Sequence, residues 1–235
     1  MDGFEGFTGI RVGEEQLIDD LIFSLVFALL FIFSLVFHAN YYLFLKMGRD
    51  VFYVKERLSL FEEIDGNETF FRSFMIFQSL LLCSITLFCT GRLLGYIPFY
   101  PDVGTNLFLI GAVFGILLLF YTFKQFLYKL LGCIFTTSNL YKIWRTGYIA
   151  SVGMWGILMY IPVLCLVFVK VYLHIYVLLF ILLYILWRFV IIHKTISIFN
   201  IKGVGFLYII LYLCAQEILP FVFLYEGIIY LYNLY

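Results

Sequence analysis

Long apolar runs separated by short polar gaps occupy this chain from residue 21 onward. Within each run the apolar positions go all the way round a helical wheel. Strict alternation would mark a half-buried strand, and a single apolar stripe would mark a surface helix of a soluble domain. A helix needs about 20 consecutive apolar residues to cross the roughly 30 Å hydrocarbon core of a bilayer. Runs of that kind predict spans at about 21–45, 73–90, 107–128, 147–169, 171–192 and 205–230. Closed barrels can also cross lipid, but their strands are short and alternate. The expected fold is all-α: one integral membrane bundle of about six transmembrane helices over residues 1–235.

Composition agrees with lipid as part of the solvent. The chain is 64% hydrophobic and 22% aromatic, and only 13% of its residues are charged, against about 25% in soluble domains. No secretory signal is expected at the start, because Arg11 stands alone against Asp2, Glu5, Glu14, Glu15, Asp19 and Asp20. A signal peptide has a positive lead and a short apolar core. The run that follows is too long and ends in Lys46 and Arg49, so it reads as the first span.

Net charge is zero, yet its distribution is uneven. Twelve of the 15 basic residues fall in the first, third and fifth gaps between spans, and three fall on the opposite side. Basic loops stay cytoplasmic, so both termini are expected outside, in the periplasm of a bacterium. Eight acidic residues lie on the outer side and six inside, with Glu217 within a span.

The largest polar gap is the first cytoplasmic loop, 46–72. Val51, Val54, Leu58 and Phe61 recur there at helical spacing, which predicts an amphipathic helix at the membrane surface. Asn67-Glu68-Thr69 has the form of a glycosylation acceptor, which carries no meaning on a cytoplasmic loop. Gly111-x-x-x-Gly115 and Gly147-x-x-x-Ser151 would let helices approach closely. The five cysteines all lie in apolar runs without a C-x-x-C pair, so they read as small buried hydrophobes.

Chemistry concentrates at Glu217, in Tyr212-Leu-Cys-Ala-Gln-Glu-Ile-Leu-Pro220, near the middle of the sixth predicted span. An acidic group at that depth costs about 3 kcal/mol on insertion scales. Pro220 has no N–H for the carbonyl of Gln216, so an acceptor is freed beside the carboxyl group. Glu217, Gln216 and Pro220 form either a proton or cation site or a polar contact that locks the sixth helix to a neighbour. His38, Arg188 and His193 are the candidate partners from other spans. Three scattered histidines lack metal-site spacing. No phosphate loop, nucleophile elbow or zinc-protease helix is present. The basic residues are too dispersed for nucleic acid. No metal, cofactor or enzymatic activity is expected.

Phe4-Glu-Gly-Phe-Thr-Gly-Ile, the stretch from Arg57 to Phe71-Arg-Ser-Phe-Met-Ile-Phe-Gln78, and Tyr212 to Pro220 together resemble an uncharacterised family of Bacteroidota multi-spanning inner-membrane proteins, a domain of unknown function. Gln216 departs from that pattern, where an apolar residue is expected. The resemblance implies a Gram-negative inner membrane and no particular activity. Three functions remain. The first is a non-enzymatic subunit or assembly factor of a cell-envelope machine for secretion or surface biogenesis, with protein partners in a complex or a homo-oligomer. The alternative is a small proton- or cation-coupled transporter or channel using Glu217. A lipid-active enzyme ranks last, because His193, Lys194 and Arg188 gather without an acidic partner.

Overall fold

A computed structural model describes residues 14–52, 66–97, 102–135, 138–168 and 173–200, together with Glu226. The helices are α1 (Glu14–Ala39), α2 (Tyr41–Phe52), α3 (Gly66–Leu93), α4 (Val103–Phe135), α5 (Ser138–Leu158), α6 (Tyr160–Phe168) and α7 (Leu173–Asn200). No strand occurs among the described residues. Five segments are long and apolar enough to cross a membrane: Ile18–Ala39, Gly66–Leu93, Val103–Leu130, Tyr141–Leu166 and Ile175–Ser197. The sixth predicted span, 205–230, lies outside the described residues, as do Val54, Leu58 and Phe61 of the first loop.

The apolar run that begins at residue 21 continues to Leu45, but α1 stops at Ala39. Asn40 causes the break. Its side-chain amide donates to the Val36 carbonyl at 3.1 Å, and its backbone N–H is shared between Val36 and Phe37. Such side-chain competition for backbone acceptors disfavours asparagine inside helices. The chain restarts as α2, whose Met47 and Val51 are buried while Tyr41, Tyr42 and Leu45 face outward. The buried side rests on Phe71, Met75 and Ala150. Part of the polar loop expected at 46–72 is thus helix packed under the bundle.

A second break falls at Met159, between α5 and α6. Pro162 cannot donate to the carbonyl of Leu158 and its ring crowds that carbonyl, the usual cause of a sharp kink. Hydrogen bonding resumes on either side, from Met159 to Trp155 and from Val163 to Met159. The two helices therefore form one bent span.

Lipid tails are as apolar as leucine, so burying apolar side chains between helices gains little; close backbone approach and polar bonds decide packing. The stripe Phe71, Met75, Gln78, Leu82 and Ile85 makes α3 the hub, with every member almost fully buried. Glycines bring α5 against it. A Cβ on Gly156 would collide with Ser79, and one on Gly153 with the Met47 methyl and Met75. The Gly147-x-x-x-Ser151 spacing is used as well: Gly147 accommodates the Lys194 stem, and the Ser151 hydroxyl donates to the Gly147 carbonyl. Gly111 and Gly115 on α4 differ, with nothing among the described residues within 4 Å of an added Cβ.

Contacts fix the helix directions. Arg72 reaches Thr146 and Ser79 reaches Gly156, so α3 and α5 run parallel. Trp144 meets Thr195 and Trp155 meets Trp187, so α7 runs antiparallel to α5. Asp19 meets Arg92 at 3.8 Å, so α1 runs antiparallel to α3. Lys46, Arg72 and Lys194 consequently gather at one end, called here the basic end. At the opposite end α3 closes on Gly95, whose φ of +79° suits only glycine. Tyr96 there donates to the Gly91 carbonyl at 2.9 Å, the six-to-one bond of a left-handed helix cap. Nearby Asp102 caps α4 by accepting from the backbone N–H and hydroxyl of Thr105. Those bonds hold its carboxyl below the ordinary aspartate range.

Candidate functional site in the membrane bundle

Two polar constellations stand out among the described residues, one at the basic end and one at mid-depth. The first is an ion-pair knot between α2, α3, α5 and α7. Glu68 and Arg72 are four residues apart on α3, so they share a face and pair along it. Arg72 donates from Nε and Nη2 to Glu68 Oε1 at 3.0 and 2.8 Å. Its Nη2 also reaches Asp50 Oδ2 on α2 at 2.8 Å, and Nη1 reaches the Thr146 carbonyl on α5 at 3.2 Å. Lys46 closes the circuit on Glu68 Oε2 at 2.9 Å.

Lys194 of α7 is buried beside this knot and donates to the Val51 carbonyl at 3.5 Å. The absence of a side chain on Gly147 lets its stem lie against α5. Next to it, Trp144 donates from its indole nitrogen to the Thr195 hydroxyl at 3.0 Å. Three cations and two carboxylates thus meet at one place. The side chains of Arg72, Asp50 and Glu68 are each at most 15% exposed. Their oxygens and N–H groups are turned toward one another, an arrangement that joins helices more readily than it attacks a substrate.

The second constellation is aromatic and amide-rich. Trp155 stacks on Trp187 at 4.9 Å between ring centroids, with Tyr184 edge-on to Trp155. Arg188 lies over the Trp187 and Tyr184 rings at 4.8 and 5.0 Å and donates from Nε to the Tyr184 hydroxyl at 2.7 Å. A desolvated guanidinium gains about 2 kcal/mol or more from such an aromatic face. The guanidinium is therefore held by its own helix at the level of the rings. Gln78, from the buried stripe of α3, lies at a similar depth.

Of the residues singled out from the sequence, Glu217, Gln216 and Pro220 lie outside the described residues. His38 on α1 and His193 on α7 are exposed, and neither is hydrogen-bonded or ion-paired. Arg188 is half-buried on its aromatic pair. No group of three His, Cys, Asp or Glu side chains suited to a metal occurs among the described residues. The knot went unforeseen, because Glu68 drew notice only as part of a glycosylation triplet. Its spacing to Arg72 was the available signal; Asp50 and Lys194 join through tertiary packing that no local pattern encodes.

Residues 22–228 match the model of a protein family described as a domain of unknown function, DUF4271. The match spans most of the chain, and the chain belongs to that family. No curated protein and no solved structure matches it.

Removing one partner from a buried ion pair leaves an uncompensated charge and costs about 3–5 kcal/mol. Arg72→Met should therefore lower the thermal midpoint of the protein in lipid nanodiscs sharply. Joint replacement of Arg72 and Asp50 by apolar residues of similar volume, which leaves Glu68 paired with Lys46, should recover much of the loss. A single variant that melts like the wild type would show that the knot does not hold the helices.

Proposed function

We propose that this member of the DUF4271 family is a non-enzymatic multi-pass subunit or assembly factor of a cell-envelope machine, seated in the bacterial inner membrane. One observation carries the reading. On α4 the Gly111-x-x-x-Gly115 pair is not packed against any of the described residues, since none of them lies within 4 Å of an added Cβ. Small residues at that spacing are the means by which transmembrane helices dock closely. Around the pair, Phe108, Ile116 and Leu119 are 75%, 62% and 69% exposed. A face of large apolar residues alone suits lipid; one with a small-residue notch suits another helix.

The basic end supports a cytosolic placement, because Lys46, Arg49, Arg72, Lys142, Arg145 and Lys194 lie there while Asp102 caps the other end. Basic segments are retained in the cytosol. A reporter inserted in the loop 53–65 should accordingly be cytosolic, and one near Asp102 periplasmic. The reverse would refute the orientation and the partners it admits.

Solubilisation in a mild detergent should bring down a stoichiometric protein partner. Gly111→Ile with Gly115→Ile should remove most of that partner and leave the melting temperature of the chain nearly unchanged. A lone monomer, or a homodimer as the sole species, would overturn the subunit reading.

A second reading, a small proton- or cation-coupled transporter or channel, is favoured by the polar side chains at mid-depth. Gln78 is fully buried there, at the level where the sequence puts Glu217 in the sixth predicted span. On this reading Glu217 carries the coupled ion beside the Pro220 break. Proteoliposomes should then show a pH-dependent flux that disappears in Glu217→Gln. An abundant Glu217→Gln variant with full flux would end it.

A further inference from the structure

Around mid-depth four side chains carry buried polar atoms that no hydrogen-bonding partner meets among the described residues: both amide atoms of Gln78, the indole nitrogens of Trp155 and Trp187, and the Tyr160 hydroxyl. They come from α3, α5, α7 and α6. Three share one level, because Ser79 next to Gln78 lies against Gly156 next to Trp155, and Trp155 stacks on Trp187. Tyr160 is one and a half helical turns beyond Trp155, about 7 Å by helical rise. Its ring meets Phe33 of α1 at 6.2 Å. The kink at Pro162 adds a carbonyl, that of Leu158, which has lost its helical donor.

Native proteins satisfy nearly all buried polar groups, so each orphan calls for an explanation. Here the orphans are numerous, and three of the four share one level. Their chemistry is also one-sided. Gln78 offers two N–H donors, each indole offers one and Tyr160 a rotatable O–H, against the amide and phenol oxygens as acceptors. All are uncharged. A bare cation would find few oxygens, while a neutral oxygen with lone pairs would find several donors at one level. Dry packing is the poorer account, because an apolar residue in place of Gln78 would fill the stripe between Met75 and Leu82 without loss.

We propose that this layer binds a neutral oxygen acceptor, with Gln78 at its centre: either ordered water or the carbonyl oxygen of a small lipid-soluble ligand. The proposal shares no residue with the α4 face, so it stands or falls separately from the subunit reading. It gives the bundle a hydrogen-bonding station in the lipid-depth region where apolar side chains offer none.

The full chain in lipid nanodiscs, with its three tryptophans labelled at the indole nitrogen, supplies the test. Trp144 is the internal reference, since its indole N–H is already bonded to Thr195. If water occupies the layer, the Trp155 and Trp187 N–H signals exchange into heavy water faster than that of Trp144. Gln78→Leu then slows them to the reference rate and lowers the melting temperature. If a ligand carbonyl is the natural occupant, menadione, as a small quinone probe, quenches tryptophan fluorescence saturably, and Gln78→Leu abolishes the saturation. Gln78→Met repeats both readings should the leucine variant fail to insert. If neither faster exchange nor saturable quenching appears, the proposal is overturned, and Gln78→Leu should then melt above the wild type.

Discussion

Charge inside a low-dielectric bundle must be answered by charge, and the knot around Arg72 is where this chain meets that demand. One guanidinium contacts two carboxylates and a backbone carbonyl, and through them joins α2, α3 and α5. Because apolar burial between helices gains little in lipid, polar bonds of this kind and close glycine contacts have to define which helices are neighbours. The knot ties α2 under the bundle, and α2 in turn seats Met47 in the hollow of Gly153. Without the ion pairs α2 would keep only the apolar contact of Leu43, Phe44, Met47 and Val51, and its Lys46 and Asp50 would move toward water.

Most of the architecture was legible because lipid imposes a simple rule: every backbone group must bond within its own helix, over a length fixed by the bilayer. The span near 107–128 therefore falls inside α4, and the span near 171–192 overlaps α7 from Leu173 onward. What escaped the pattern was local. Asn40 ends α1 inside an apolar run through one amide bond to Val36. Pro162 bends a continuous apolar segment without interrupting its hydropathy. Neither alters composition enough to be seen in a window of 20 residues.

The candidate site was less legible, for a physical reason. Single-sequence reading notices an ionisable group in an apolar run, which is how Glu217 drew attention. It does not notice a neutral amide or indole, since glutamine and tryptophan are unremarkable at any one position. Gln78 acquires meaning only when its burial and the lack of any hydrogen bond are known together. Asp50 and Lys194 are likewise ordinary loop charges until tertiary packing puts them near Arg72. The glycines divide in the same way. Gly147, Gly153 and Gly156 serve contacts within the chain, while Gly111 and Gly115 look identical in sequence and face none among the described residues.

Polar groups in this bundle are sorted by depth, and the sorting argues for distinct roles. At the end opposite the basic one Asp102 and Gly95 finish helices with bonds that water can also reach. At the basic end full charges are buried but mutually satisfied, so that region is closed and mechanical. Between them Gln78 and its aromatic neighbours are neutral and unsatisfied, and Arg188 is held over Trp187 instead of reaching out to the surface. Stability alone would favour apolar side chains at that depth, because each orphaned polar group subtracts about 1–3 kcal/mol. Three of them, Gln78, Trp155 and Trp187, share one level while the charged groups at the basic end are tied off, which on our proposal makes mid-depth the region where the bundle has given up stability for recognition.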